Sequence, residues 1–208
     1  IYDMAMKVGA PVVGLIDCAG LRLQEATDAL NAFGEVYLKQ TLASGVIPQI
    51  TAIFGTCGGG AALIPTLTDF TFMTAEGGKL FVNSPNALDG NYQAKLDTAS
   101  AAYLSENSSL VDGVFEDDAT TLANIRSLVD MLPDNNMEDA ESDCTDDLNR
   151  IIPNLDGFAK DARAVLQNIA DNNVFVEVKK DYAKDMVLGM EREKIVETGE
   201  LHMYNRDA

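Results

Sequence analysis

Two stretches of this 208-residue chain carry residue types that could do chemistry with the main chain rather than with side chains. Gly55 to Ala62 reads G-T-C-G-G-G-A-A, after an apolar run rich in β-branched residues (Val46 to Phe54) and before Leu63 and Ile64. The pattern predicts a strand feeding a Gly-rich turn into a helix. Gly58, Gly59 and Gly60 strip side chains from that turn, so N–H groups can approach a ligand closely, and the first N–H groups of a helix after it have no partner within it. Such a turn can bind an anion or a developing oxyanion; it serves equally for a tight strand-to-helix crossing. The second stretch, Asp17 to Ala26, reads D-C-A-G-L-R-L-Q-E-A and has a small-residue centre. Nucleophilic chemistry has little support. Cys18 and Cys57 have no His or Lys beside them in sequence to lower their pKa, and small buried thiols are usually inert. The single His, His202, sits in a charged tail where a solvent-exposed place is expected.

The elements that must position these loops are read from the apolar pattern. Tyr2 to Val8 reads as the end of a helix closed by Gly9, and Pro11 to Ile16 as a short buried strand. Thr27 to Ser44 is an amphipathic helix with Ala29, Leu30, Phe33, Val36, Tyr37 and Leu42 as its apolar positions. Strand, loop, helix, strand, Gly turn implies a parallel pair joined by a crossover, which places both loops at the carboxyl ends of neighbouring strands, where ligand sites collect. Downstream, Phe70 to Thr74 and Leu80 to Val82 predict short strands around Glu76-Gly77-Gly78, and Ser84-Pro85-Asn86 opens a turn or a short helix. Asn91 to Leu104 predicts a helix, Leu110 to Phe115 a weak strand, and Asp117 to Met131 a helix with Ala119, Leu122, Ile125, Leu128 and Val129 on one face. Asp134 to Cys144 is acidic and apolar-poor, a mobile linker by composition. Leu155 to Ala170 predicts a helix, Asp171 to Asn173 a turn and Val174 to Val178 an alternating strand; the tail after Met190 has no core pattern.

Charge narrows the partners. A formal charge of -18, with acids crowded between Asp112 and Asp147, argues against non-specific nucleic-acid binding and anionic membrane docking. An anionic ligand would need local donors. Three widely spaced cysteines without a C-x-x-C pair suggest neither a disulfide framework nor a metal site, so a reducing, cytoplasmic compartment is the default expectation. No apolar run reaches the length of a membrane span. The chain opens on Ile1 directly in a helical pattern, as a fragment of a longer sequence would.

Three blocks then become recognisable: P-V-V-G-L-I-D-C-A-G-L-R-L-Q-E-A, F-G-E-V-Y-L-K-Q-T-L-A-S-G-V-I-P-Q-I and G-T-C-G-G-G-A-A-L-I-P-T-L-T-D-F. In order and spacing they resemble the N-terminal carboxyltransferase half of biotin-dependent acyl-CoA carboxylases, related decarboxylases and transcarboxylase. The family pattern is roughly D-S-A/G-G-A-R-x-Q-E-G, S-G-V-x-P-Q and G-P-C-A-G-G-A-x-x-x-P-A-x-T-D. The resemblance implies an α/β, crotonase-like spiral of ββα units, incomplete at the N-terminus. It divides the chain into residues 1–133 as an acyl-CoA-binding domain, 134–158 as an acidic linker, 159–190 as the start of a C-terminal carboxyltransferase domain, and an unassigned tail over 191–208.

By that resemblance an acyl-CoA thioester carbonyl would point at main-chain donors from Ala19, Gly20 and Leu21 and from Gly59 and Gly60, with Gly58, Ala61 and Arg22 helping to place the coenzyme A moiety. A surface ion pair from Arg22 to Glu25 is the competing role. Asp17 and Asp69 are expected to hold loops or helix starts. The reaction implied is carboxyl transfer between biotin N1 and the acyl α-carbon through an enolate, with biotin itself able to take the proton. Biotin on a carrier protein, a biotin carboxylase and further copies of the chain, as a dimer of halves or a hexamer, are the implied partners, and no metal is implied. The sequence departs from the pattern at Cys18 (Ser), Leu21 (small), Ala26 (Gly), Thr56 (Pro) and Gly58 (Ala), while Leu63 and Ile64 stand at often aromatic or polar positions. Two other readings remain open: the α-subunit of a sodium-pumping decarboxylase, and a non-catalytic assembly subunit with Leu21, Leu63 and Ile64 filling the pocket. Because the homologous C-terminal half supplies the biotin-side donors, the chain alone is expected to carry half a site.

Overall fold

The computed structural model describes residues 1–87, 97–138, 157, 160–191 and 202–205. Its centre is β2 (Gln49–Gly58), whose Ile50, Ala52, Ile53 and Cys57 are almost fully buried. All pairings in the main sheet are parallel. β1 (Val12–Cys18) lies along one edge of β2; β3 (Phe70–Thr74) pairs with the first half of the other edge, and β4 (Lys79–Phe81) takes over that edge from Thr56 to Gly58. β5 (Gly113–Phe115) extends the sheet beyond β3. Strands buried on both faces read as continuous apolar runs, which is why Val46 to Phe54 stands out in the sequence.

Two layers cover the sheet. On one face Ile16, Ile53, Cys57, Met73 and Leu80 pack with Ala61, Ala62, Ala101 and Val111. On the other, Ile50, Ala52 and Phe72 meet Ile125 and Leu128 of α4 (Asp118–Met131). Asp117 caps that helix by accepting the Thr120 N–H at 2.7 Å, supplying a partner that the first turn lacks. Its buried stripe is Thr121, Ile125 and Leu128, whereas Leu122, expected on the core face, is 44% exposed. α1 (Tyr2–Val8) ends as expected at Gly9, in the left-handed conformation with φ 69°. α2 (Ala26–Ala43) presents Phe33, Val36, Tyr37, Gln40 and Ala43 inward and leaves Leu30, Leu38 and Leu42 more than half exposed.

Several expectations shift. The Gly turn does not open an α-helix: Gly59–Leu63 and Pro65–Leu67 form two successive 3₁₀ turns. Pro65 has no N–H to give an α-helix running through Ala61 to Ile64, and the chain breaks there. Of the helix expected over Asn91 to Leu104, residues 91–96 lie outside the described residues; α3 (Ala101–Asn107) starts later, at a Ser100 N-cap whose hydroxyl accepts from the Tyr103 N–H. The start of the acidic stretch is held rather than free. The Asn136 N–H donates to Val46 O at 2.9 Å and Asn135 Nδ2 to Gly9 O at 3.0 Å, while residues 139–156 lie outside the described residues.

A second, antiparallel sheet comes after α5 (Ala162–Ile169): β6 (Phe175–Val178), β7 (Met186–Glu191) and β8 (His202–Asn205). The tail beyond Met190 thus contributes a strand, β8, which carries His202. This sheet is tied to the first by Lys179, whose Nζ donates to Asp112 Oδ1 at 2.6 Å and whose N–H donates to Asp112 O at 2.7 Å.

Candidate active site

The site begins with a break in register. Between Ile16↔Ile53 and Cys18↔Cys57, β2 advances four residues while β1 advances two, so β2 bulges around Phe54 to Thr56. A bulge leaves donors unpaired, bends the strand and redirects the chain beyond it. Here the Thr56 N–H donates to Asp17 Oδ1 at 3.0 Å, so an acidic side chain from β1 closes the bulge. Gly55 lies under the same carboxylate, and a Cβ on it would stand 2.2 Å from Asp17 Oδ1. Asp69 has the equivalent task at the other end of β2, its Oδ2 accepting from the Gln49 N–H at 2.8 Å. Both aspartates hold strands and loops. Asp17→Ala should loosen the bulge by about 1 kcal/mol, the scale of one hydrogen bond. Gly55→Ala, which evicts the same carboxylate, should add little to it in a double-mutant cycle read by denaturant unfolding.

Beyond the bulge the two loops run against each other. A Cβ on Gly58 would come 2.9 Å from Ala19 O and 3.1 Å from the Phe81 ring. A Cβ on Gly20 would come 3.4 Å from Gly58 O, and one on Gly59 would lie 4.0 Å from Gly20 Cα. Gly20 and Gly59 also have φ of 128° and 61°, conformations that L side chains rarely adopt. Gly58 does not: its φ of -116° is extended backbone, and only the neighbouring atoms exclude a side chain. Ala19, Gly20, Gly58 and Gly59 therefore occupy one small volume at the carboxyl ends of β1 and β2. Gly59 and Gly60 open the 3₁₀ turn, so their N–H groups have no acceptor within it.

The carbonyls of the turn are taken by side chains. Tyr37 Oη donates to Gly60 O at 2.5 Å, Cys57 Sγ to Ala61 O at 3.3 Å and Gln40 Nε2 to Ile64 O at 3.2 Å. Ala61 is buried; Leu21 is half-buried beside Gly20, and Leu63, 44% exposed, is not enclosed. Arg22 is paired within its own loop. Its Nη1 pairs with Glu25 Oε1 at 3.2 Å with both side chains largely exposed, a geometry that contributes little stability. The bulge with its Asp17 closure and the Tyr37 contact had no signature in the sequence: a tyrosine four residues after Phe33 reads as helix core, and an aspartate at a strand end as a cap.

The buried Cys57 thiol is not placed as a nucleophile. Burial, with Cys18 adding to it, pushes the Cys57 thiol up to about 12 from its ordinary 9.0. At pH 8 about one Cys57 in ten thousand is then thiolate. Iodoacetamide at that pH should leave Cys57 unlabelled in the folded protein and label it in urea, read by mass spectrometry. A raised folded-state pKa also means that the stability this thiol contributes is fully present below pH 9 and is lost as pH rises towards about 12.

The chain as a whole is similar to known proteins. The sequence model of the carboxyl transferase domain family matches residues 1–194. The chain is 38% identical over 203 residues to the propionyl-CoA carboxylase beta chain of Roseobacter denitrificans, in an alignment covering 92% of this chain and 40% of that one. It is 39% identical over 196 residues to the methylmalonyl-CoA decarboxylase subunit alpha of Propionigenium modestum, covering 89% and 38%. Among solved structures, transcarboxylase 12S, determined as a hexamer with hydrolysed methylmalonyl-coenzyme A bound, matches with a TM-score of 0.81 at 29% identity, covering 97% of this chain and 41% of that one. The chain thus spans about two fifths of the length of these relatives. The α/β architecture with its parallel sheet is of this crotonase-like kind.

Proposed function

We propose that this chain, which belongs to the carboxyl transferase domain family, is the acyl-CoA-binding half of a biotin-dependent carboxyltransferase. The observation that carries the reading is the meeting of two side-chain-free loops, Ala19–Gly20–Leu21 and Gly58–Gly59–Gly60, at the ends of adjacent parallel strands. Main-chain N–H groups there, chiefly those of Ala19, Gly20, Leu21, Gly59 and Gly60, hold the thioester oxygen. As the α-carbon gives up its proton, for which biotin N1 is the acceptor once its carboxyl group has left, charge moves onto that oxygen, and each fixed donor contributes about 3 to 4 kcal/mol to the enolate. The carboxyl group then passes between biotin N1 and the α-carbon. A carrier protein brings biotin to the site, and a biotin carboxylase charges it. Gly58 and Ala61 shape the wall against the coenzyme A moiety, with Arg22 available to its phosphates once released from Glu25.

The substrate class is a short acyl-CoA of the acetyl, propionyl or methylmalonyl type. Residues 1–133 form the acyl-CoA-binding domain, 134–158 an acidic connection and 159–190 the opening of a second carboxyltransferase domain, whose remainder, from a neighbouring copy in an oligomer, supplies the biotin side. Decarboxylation is the second reading, favoured by equal similarity to a decarboxylase α-subunit and to a carboxylase β chain. Isothermal titration with acetyl-, propionyl-, methylmalonyl- and glutaconyl-CoA tests the proposal. Saturable binding of at least one by this chain, without carboxyl transfer from carboxybiotin, is the expected result. No binding to any of them by the chain or by a longer version defeats it.

A further inference from the structure

A row of glycines poses a conformational problem that it cannot solve itself. Gly58, Gly59 and Gly60 have no side chains to restrict their backbone, yet donors that stabilise a developing charge work only if their direction is fixed beforehand. Gly58 is fixed by pairing with Phe81 and by its wedge between Ala19 O and the Phe81 ring. Gly60 lies beyond the paired strand and has neither restraint. What it has is α2. Tyr37 Oη donates to Gly60 O at 2.5 Å, and a Cβ on Gly60 would stand 3.2 Å from that hydroxyl and 3.6 Å from the Phe33 ring. Phe33 stacks on Tyr37 with centroids 6.0 Å apart and planes 28° apart, which holds the phenol in place.

We propose that Tyr37 is the positioning residue of the glycine turn, setting the direction of its main-chain donors through the Gly60 carbonyl. A trans peptide is planar, so gripping the Gly60 C=O anchors the Gly60–Ala61 peptide plane and fixes ψ at Gly60, leaving only φ of Gly60 to turn the Gly60 N–H on the other side of its Cα. The carbonyls of Ala61 and Ile64, which also accept the N–H groups of Ile64 and Leu67, receive Cys57 Sγ and Gln40 Nε2, so side chains of α2 and β2 hold the turn at three points. Burial, with Cys57 adding to it, raises the Tyr37 pKa above the ordinary tyrosine value, so the hydroxyl stays protonated and continues to donate. The catalytic consequence rests on the carboxyltransferase reading above; the restraint on the turn does not.

Tyr37→Phe in the intact protein removes one oxygen and keeps the stacked ring. The expected result is a fall in kcat of about tenfold with KM for the acyl-CoA within about twofold, because a misaimed donor is missed most in the transition state. Amide hydrogen exchange across Gly58 to Ala62 should accelerate about threefold or more, while exchange in α4 stays unchanged. Phe33→Leu, which loosens the ring but leaves the hydroxyl, should lower kcat less. Unchanged kcat and unchanged exchange in the turn overturn the proposal, as does an acceleration of exchange spread through the whole chain. If the wild type transfers no carboxyl group and binds no acyl-CoA while the turn still responds to Tyr37→Phe, the restraint stands and the proposed function is what fails.

Discussion

In the intact protein Gly58→Val should remove the proposed carboxyl transfer almost completely, lowering kcat/KM by about 10²- to 10³-fold, the scale on which loss of an oxyanion donor is measured. The first branch point alone meets Ala19 O at 2.9 Å and the Phe81 ring at 3.1 Å, so even a methyl group must push the loops apart. The backbone at Gly58, with φ -116° and ψ 154°, accepts any residue, which makes the effect one of contact and not of strain. Gly58→Ala should therefore show a graded loss. The family pattern places alanine at this position, so Gly58→Ala reads how far this chain has closed the gap between its loops. Gly59→Ala meets no such crowding, its Cβ lying 4.0 Å from Gly20 Cα, but its φ of 61° is one that L side chains rarely adopt, so it should destabilise the fold by about 1 kcal/mol. Steady-state kinetics of the three variants, set beside their thermal unfolding, separates displacement of donors from loss of structure.

The largest effect on stability should come from Asp112→Ala. This carboxylate is buried at the end of the sheet, where Oδ2 accepts from the Thr71 N–H at 2.7 Å and Oδ1 from Lys179 Nζ at 2.6 Å. Removing it leaves the Thr71 N–H without its acceptor and the Lys179 ammonium, which keeps Ser109 O, without its counter-charge, at a cost of about 3 kcal/mol. For a chain of this size that is a fall in Tm of about 6 to 12 °C. Burial nevertheless outweighs both partners in setting its protonation, holding the Asp112 pKa above its ordinary 3.8. With the folded-state value raised, the contribution of this group is fully present below pH 3.8 and is lost as pH rises through the folded-state pKa, opposite to a paired surface carboxylate. Asp112→Asn should thus remove a loss of stability with rising pH and make the acid limb of the stability profile steeper, which urea unfolding at a series of pH values between about 4 and 7 measures.

The strands were legible in the sequence because a parallel sheet buries both faces and writes its strands as unbroken β-branched runs. Val46 to Phe54 marked β2, and Phe70 to Thr74 matched β3 residue for residue. The Gly59 turn was legible as a turn, but the conformation after it was not: four apolar residues before Pro65 suit one 3₁₀ turn as well as a helix start. The bulge was invisible because it depends on how far β1 and β2 advance against each other, a property of two strands that neither one's composition records. Asn135 and Asn136 looked like linker composition, yet their amides satisfy carbonyls just beyond the ends of α1 and α2. Local polarity cannot tell a solvated segment from one that pins other loops. The two loops stand out in the sequence because glycine runs and small-residue loops are rare; Tyr37 does not, because its contact lies in one hydroxyl at helical spacing from an aromatic neighbour.

Main-chain donors polarising a thioester carbonyl are the centre of the proposed chemistry, and the vibrational frequency of that carbonyl reports on them directly. Infrared difference spectra of 1-¹³C-propionyl-CoA bound to the intact protein should show the labelled C=O stretch moved to lower frequency than in water, with the shift reduced in Gly58→Val and Tyr37→Phe. A bound carbonyl at or above its frequency in water, unaffected by either variant, would contradict it.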